Sequence, residues 1–190
     1  MNKSFIKKIT RRNFLKTGSF AALSYFFPEP LFASIQSILS QERSLAFYNT
    51  HTREYCNAVY WSNGQYMKEA LKKIDYILRD HRAEKIKPIN TRLLNFLTVM
   101  NASIGTKHPF HIISGYRSPE TNGLLRKKSK GVARNSYHMF GKAVDIRIPR
   151  LTLSRLREIA VNLKTGGVGY YPGSDFIHVD LGPVRYWQGS

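Results

Sequence analysis

The segment from 136 to 145 combines an imidazole and a carboxylate at a spacing that could bind a metal ion. It reads Ser-Tyr-His-Met-Phe-Gly-Lys-Ala-Val-Asp, so that His138 and Asp145 stand seven positions apart with Gly141 between them. A glycine lets the backbone turn at that point. We therefore expect His138 on a loop and Asp145 on the following strand to converge on one ion.

A second imidazole comes from the segment 175–180, which reads Asp-Phe-Ile-His-Val-Asp. Alternate side chains of an extended strand share a face, so His178 and Asp180 would face the same site. Two imidazoles and one carboxylate bind zinc and leave a fourth position open for water, which is typical of a catalytic zinc site. We therefore predict that His138, Asp145 and His178 bind Zn²⁺.

Hydrolysis at such a site also needs a group that accepts the proton of the attacking water. Asp175 and Asp180 are the candidates for this general base, and the alternation of side chains along the strand favours Asp180 slightly. Arg117 lies on a turn after a short predicted strand and could stabilise an oxyanion in the transition state. A surface salt bridge is its alternative role.

The elements that must position these residues follow from hydrophobic spacing and capping signals. We predict helices at 68–79, 91–103, 119–127 and 152–163, with Thr91 as a cap of the second. Segments rich in aromatic residues predict a β-hairpin from 44–50 and 54–61. Short apolar segments predict strands at 111–114, 143–148 and 176–181. Because no βαβ repeat is visible, we expect an α+β fold with a small, mainly antiparallel sheet flanked by helices.

The first 33 residues have the pattern of a twin-arginine export signal. Basic residues, including the adjacent Arg11 and Arg12, precede a modest apolar segment around 20–27. This segment is shorter than the roughly 20 residues that span a bilayer. We expect a signal at 1–33, a linker at 34–43 and one catalytic domain at 44–190. The twin-arginine machinery would then deliver the protein to the periplasm; a chance arginine pair is the alternative.

The composition restricts the classes of partner and of metal site. Thirty basic against twelve acidic residues give a net charge of +18, which favours a polyanionic partner such as cell wall, membrane surface or nucleic acid. No zinc-finger spacing and no aromatic-basic signature for single strands is present, so we expect no nucleic-acid partner. The single cysteine, Cys56, excludes an intramolecular disulfide and a cysteine-based zinc site.

The motif Ser-x-His-x-x-Gly-x-Ala-x-Asp at 136–145 resembles the mark of the M15-type zinc peptidases, which have a D-alanyl-D-alanine carboxypeptidase and hedgehog-like fold. The stretches SGYRSPETN, GVARNSYHMFGKAVDIRIP and GGVGYYPGSDFIHVDLGPVRYW look closer to the murein endopeptidase K branch. The similarity covers nearly all of residues 44–188. It implies zinc bound by His138, Asp145 and His178, and hydrolysis of peptide cross-links in peptidoglycan.

The resemblance leaves the base and the substrate contacts open. The wider family commonly has Glu-x-x-His, whereas this chain has Asp175 at the glutamate position, so Asp175 and Asp180 both stay candidates. Ser136 and Tyr170 are our candidates for substrate binding; Tyr170 and Tyr171 could line the cleft or simply pack.

Two other functions compete with a murein endopeptidase. One is a D,D-carboxypeptidase that trims terminal D-alanine from stem peptides. The other is a zinc-containing wall-binding module without turnover, which the missing glutamate and the positive charge would suit.

Overall fold

The computed structural model describes residues 42–128 and 131–189. These residues form four α-helices and one eight-stranded mixed sheet, which confirms the predicted α+β class. The predicted signal at 1–33 and most of the predicted linker lie outside the described residues. Among the residues that are described, no helix is both long and apolar enough to cross a membrane.

The helices and strands alternate irregularly along the chain. The strands are β1 (Arg43–Asn49), β2 (Tyr55–Ser62), β3 (Gln65–Tyr66), β4 (Phe110–Ser114), β5 (Ala143–Arg147), β6 (Gly167–Tyr171), β7 (Phe176–Asp180) and β8 (Arg185–Gln188). The helices are α1 (Lys68–Ile77), α2 (Thr91–Ile104), α3 (Pro119–Lys128) and α4 (Leu153–Asn162), with 3-10 turns at Tyr137–Phe140 and Pro172–Ser174. Each predicted helix corresponds to an observed one.

The predicted small, mainly antiparallel sheet was wrong. The sheet has eight strands in the order β3-β2-β1-β4-β5-β7-β6-β8, and the pairs β1–β4 and β6–β8 are parallel. Strands β3, β6 and β8 were not predicted: β3 has two residues, and the glycines of β6 hide its strand pattern. Parallel pairing joins segments that are distant in the chain, so local alternation cannot reveal it.

Capping residues define the two helices that cover one face of the sheet. Helix α2 begins after Asn90, whose side chain accepts a hydrogen bond from the Arg92 amide, and ends at Gly105 with φ +67°. The cap is therefore Asn90 and not the predicted Thr91. Helix α4 begins after Thr152 in the same way. The two helices contact each other, and they contact β1, β6 and β7.

Alternation along β5 and β7 separates the apolar core from the polar site. Val144, Ile146, Ile177 and Val179 are fully buried on one face. The residues between them, including Asp145 and His178, project from the opposite face because side chains alternate along a strand. The sheet thus presents the predicted ligands on the face away from its hydrophobic core.

Candidate metal centre

Three side chains that are distant in the sequence converge on one point. The His138 Nε2 atom lies 3.2 Å from Asp145 Oδ1 and 3.1 Å from His178 Nδ1. The His178 Nδ1 atom lies 2.9 Å from the same Asp145 oxygen. In the described part of the chain these three residues form a group that could hold a metal ion. The structure therefore places all three predicted ligands together.

Strand pairing and a short turn explain this convergence. Asp145 on β5 is directly opposite His178 on β7, so their side chains lie on the same face. His138 lies in the 3-10 turn Tyr137–Phe140, which ends at Gly141 with φ +61°. A Cβ atom at Gly141 would lie 2.5 Å from the Pro88 carbonyl oxygen. The glycine predicted to turn the chain is thus required both for its backbone conformation and for space.

The outer hydrogen bonds of the two imidazoles determine which ring nitrogens carry hydrogen. His138 Nδ1 is 2.7 Å from the Gly115 carbonyl oxygen, which can only accept, so Nδ1 donates. His178 Nε2 is 2.9 Å from Asp180 Oδ2, and the carboxylate likewise accepts. In the neutral form of each ring, the nitrogen that faces the cluster is then unprotonated. A cation between the three atoms would favour this form, because it is attracted to both nitrogen lone pairs and to the carboxylate oxygen.

Donor type and spacing fit a zinc ion. Zinc bonds of about 2.0–2.2 Å in a tetrahedral arrangement place neighbouring ligand atoms about 3.3–3.6 Å apart. The observed separations of 2.9–3.2 Å need to widen by only a few tenths of an ångström. Burial lowers the pKa of His138, which favours its neutral form. Burial alone would raise the pKa of Asp145, but contacts with both imidazoles hold it well below its usual range.

Asp180 lies directly behind His178 and is saturated with hydrogen bonds. Its Oδ1 accepts from the Gly167 amide at 3.2 Å, the Gly182 amide at 2.7 Å and Arg185 Nη1 at 3.1 Å. Its Oδ2 accepts from Arg185 Nη2 at 2.6 Å and from His178 Nε2. The side chain is 0% exposed. These donors outweigh the effect of burial and hold the pKa of Asp180 well below its usual range, which is the reverse of what a general base requires.

Arg117 lies at the edge of the cluster and is mostly buried, so it is not part of a surface salt bridge. Its Nη2 atom lies 3.4 Å from Asp145 Oδ2 and 3.2 Å from Ser114 Oγ. Its backbone amide donates to the His138 carbonyl oxygen at 3.3 Å. Arg117 therefore contacts the carboxylate oxygen that the imidazoles leave free.

Sequence comparison relates this chain to known peptidoglycan endopeptidases. A family model described as Peptidoglycan L,D-endopeptidase MepK matches residues 37–187. The Escherichia coli K12 protein of that name is 41% identical over 177 residues, covering 93% of this chain and 96% of its own. A Haemophilus influenzae protein, named Probable peptidoglycan L,D-endopeptidase MepK, is 37% identical over 180 residues, covering 94% and 96%.

The chain belongs to the MepK branch of the M15-type peptidases. In this MepK-branch chain the other predicted base, Asp175, has a different partner. Its carboxylate is 63% exposed and pairs with Arg147 Nη1 at 2.6 Å. Asp175 follows the 3-10 turn with φ +52°, just before β7 begins. No hydrogen bond joins Asp175 to the three ligands among the described residues.

The two predicted substrate-binding residues differ in their placement. Ser136 precedes the turn that carries His138 and is 9% exposed. Tyr170 is opposite Ile177 in the β6–β7 pair, so it lies on the helix-covered face, where the Arg157 guanidinium is 5.3 Å from its ring centre. Tyr171, one residue later, lies on the same face as His178. The structure thus separates Tyr170 from the cluster and brings Tyr171 to its side.

Sequence reasoning missed two partners of the cluster. The carbonyl group that orients His138 belongs to the backbone of Gly115, so no side chain in the sequence marks it. The structure explains why residue 115 is a glycine, because a Cβ atom there would collide with the Leu78 carbonyl group. Arg185 could have been found, since it is the next basic residue after Asp180 and follows it by five positions.

Proposed function

We propose that this chain is a zinc-dependent murein endopeptidase that hydrolyses peptide cross-links of peptidoglycan. The observation that carries the proposal is the meeting of two imidazole nitrogens and one carboxylate oxygen, each about 3 Å from the others. The names of the MepK relatives support peptidoglycan as the substrate and an L,D bond as the bond that is cleaved.

Each protein residue of the site has a separate task in this proposal. His138 through Nε2, Asp145 through Oδ1 and His178 through Nδ1 would hold the ion. Zinc held there would supply a Lewis acid for the scissile carbonyl and lower the pKa of a water molecule. We assign Asp180 to hold the His178 ring in its ligating tautomer. The proton of the attacking water, whose pKa the metal would lower, would then pass to bulk solvent, and solvent would return a proton to the leaving amine.

Arg117 has two tasks that are compatible with one position. Its Nη2 contact fixes the second oxygen of Asp145, which leaves the first oxygen for the ion. Its positive charge at the edge of the cluster would also stabilise negative charge that develops on the substrate, as the sequence predicts. Among the described residues, Asp145 is the one carboxylate in the group that could hold a metal ion, so the proposed zinc site consists of Asp145 and the two imidazoles.

The cellular location is part of the proposal. We infer that residues 1–33 act as a twin-arginine signal that directs the folded catalytic domain, residues 44–190, to the periplasm. The relatives that carry peptidoglycan in their names support a location outside the cytoplasm. The net charge of +18 would favour association with the anionic cell envelope.

The test uses the full chain and muropeptides with both D,D and L,D cross-links. Products are followed by mass spectrometry with zinc, with a chelator, and after zinc is restored. His138→Ala removes a ligand, and His108→Ala, an exposed histidine outside the cluster, is the matched control. We expect cross-link cleavage that needs zinc and His138 but not His108.

Two other results would identify a different function, and a third would overturn the role of the metal. Release of D-alanine alone would identify a carboxypeptidase. Binding to intact sacculi without cleavage by the zinc-loaded protein would identify a wall-binding module. Cleavage that survives complete zinc removal would overturn the role of the metal.

A further inference from the structure

Strands β6 and β8 form a wall beside His178. Gly169 on β6 is opposite His178 on β7, and it is also in register with Trp187 on β8. The Trp187 ring lies 5.3 Å from the His178 ring, measured between ring centres. The indole therefore lies on the face of the sheet that carries the three ligands.

Gly169 makes this position of the indole possible. A Cβ atom on Gly169 would lie 2.6 Å from the Cε2 and Cζ2 atoms of Trp187. Any larger residue would displace the ring from its place across the strand. The sequence thus keeps an aromatic surface beside one ligand of the predicted metal site.

Trp187 in turn positions the hydroxyl group of Tyr171. Its Nε1 atom donates to the Tyr171 oxygen at 2.9 Å. The Tyr171 ring also stacks on Phe176, with ring centres 4.6 Å apart and planes 18° apart. The phenol is held at its oxygen and on one face of its ring. Because its oxygen accepts from the indole, its own hydrogen is free to point elsewhere.

The hydrogen of the Tyr171 hydroxyl has no acceptor within the described residues, although the side chain is only partly exposed. A partly exposed hydroxyl can donate to water, and to a ligand that displaces this water. Tyr171 shares its face of β6 with Gly169, which is opposite His178. Arg117 contacts Asp145. Both donors therefore lie on the side of the sheet that carries the cluster.

We propose that Tyr171 is a substrate-contacting residue that donates its hydroxyl hydrogen to a carbonyl oxygen of the bound stem peptide, and that Trp187 is the residue that positions it. This inference rests on the proposed function, because it takes the His138–Asp145–His178 cluster as the place of reaction. It differs from the sequence-based prediction, which named Tyr170.

Neighbouring tyrosines provide a matched test in the full-length, zinc-loaded chain. Tyr171→Phe removes only the hydroxyl group and keeps the ring that stacks on Phe176. Tyr170→Phe makes the same change on the opposite face of the sheet. We expect kcat/KM for cross-linked muropeptides to fall about 10- to 100-fold in Tyr171→Phe, and to stay within twofold of wild type in Tyr170→Phe. Equal values for the two variants would overturn the proposal.

The role of Trp187 is tested in a double-mutant cycle. Trp187→Phe keeps an aromatic ring but removes the N–H donor. If Trp187 acts through the Tyr171 hydroxyl, this change lowers kcat/KM in the wild-type background and has little further effect in Tyr171→Phe. A purely structural role would give the same fold-loss in both backgrounds and would overturn the positioning role.

A binding measurement separates this inference from the proposed function. If zinc-loaded wild type cleaves no muropeptide, the proposed function fails, and the dissociation constant for the uncut muropeptide decides the role of Tyr171. We then expect binding about 3- to 10-fold weaker in Tyr171→Phe than in Tyr170→Phe. Equal dissociation constants would overturn the inference.

Discussion

Replacing Asp180 by asparagine should weaken zinc binding without any change to a zinc ligand. Three donors converge on Oδ1 of Asp180, from Gly167, Gly182 and Arg185. The oxygen of an asparagine would therefore stay there. Its NH₂ group would then take the place of Oδ2, which lies 2.6 Å from Arg185 Nη2 and 2.9 Å from His178 Nε2. Both of these nitrogens donate to Oδ2 in the wild type, so the new NH₂ donor would face two other donors.

The consequence for His178 is a change of tautomer. When Nε2 faces an NH₂ donor it becomes the acceptor, and the ring hydrogen moves to Nδ1, which points into the cluster. A protonated Nδ1 cannot bind zinc. Loss of a partner behind a ligating histidine commonly lowers metal affinity about 10- to 100-fold, or about 1.4–2.7 kcal/mol.

The assay is a zinc titration of the full chain against a chelator of known affinity. Asp175→Asn is the control, because it makes the same change of charge at an exposed carboxylate. Thermal unfolding of the zinc-free proteins separates lost affinity from lost folding. Zinc affinity of Asp180→Asn within twofold of wild type would refute the positioning role.

Three further predictions follow from other parts of the chain. Asp175→Asn should keep kcat within about threefold, since the carboxylate pairs with Arg147 and has no hydrogen bond to the three ligands; a hundredfold loss would restore Asp175 as the base. Burial raises the pKa of Tyr60 to about 12, so wild type should lose up to about 3 kcal/mol of stability between pH 10 and 12, and Tyr60→Phe should lack this component in alkaline denaturation. Changing Arg11 and Arg12 together to lysine should retain the protein in the cytoplasm, as cell fractionation would show; unchanged export would exclude a twin-arginine signal.

The sequence predicted those parts of the fold that depend on local order. The helices were recognised because apolar spacing acts within a few residues, whereas the one cap named from the sequence, Thr91, was wrong by one position. The mixed sheet could not be recognised in the same way. The pairing of β6 with β8 depends on contacts across the sheet, and short strands with glycines give little alternation of their own.

The site shows the same division between local and long-range information. His138, Asp145 and His178 were named from their types and spacing, and strand pairing brings them together. The sequence slightly favoured Asp180 as the base, because it shares a face with His178. The sequence did not reveal the donors from Gly167, Gly182 and Arg185, which support the positioning role that we propose.

The choice between two adjacent tyrosines as substrate contacts depends on long-range register. Tyr170 and Tyr171 lie on opposite faces of β6, and only the register against β7 shows which face carries the ligands. A shift of that register by one residue would exchange their positions.

Anomalous diffraction at the zinc absorption edge, from crystals of the zinc-loaded chain, tests the central claim most directly. The predicted result is one zinc ion bonded to His138 Nε2, Asp145 Oδ1 and His178 Nδ1, at about 2.0–2.2 Å from each. Absence of zinc between these three atoms, or zinc bound through the opposite nitrogen of either ring, would contradict the account.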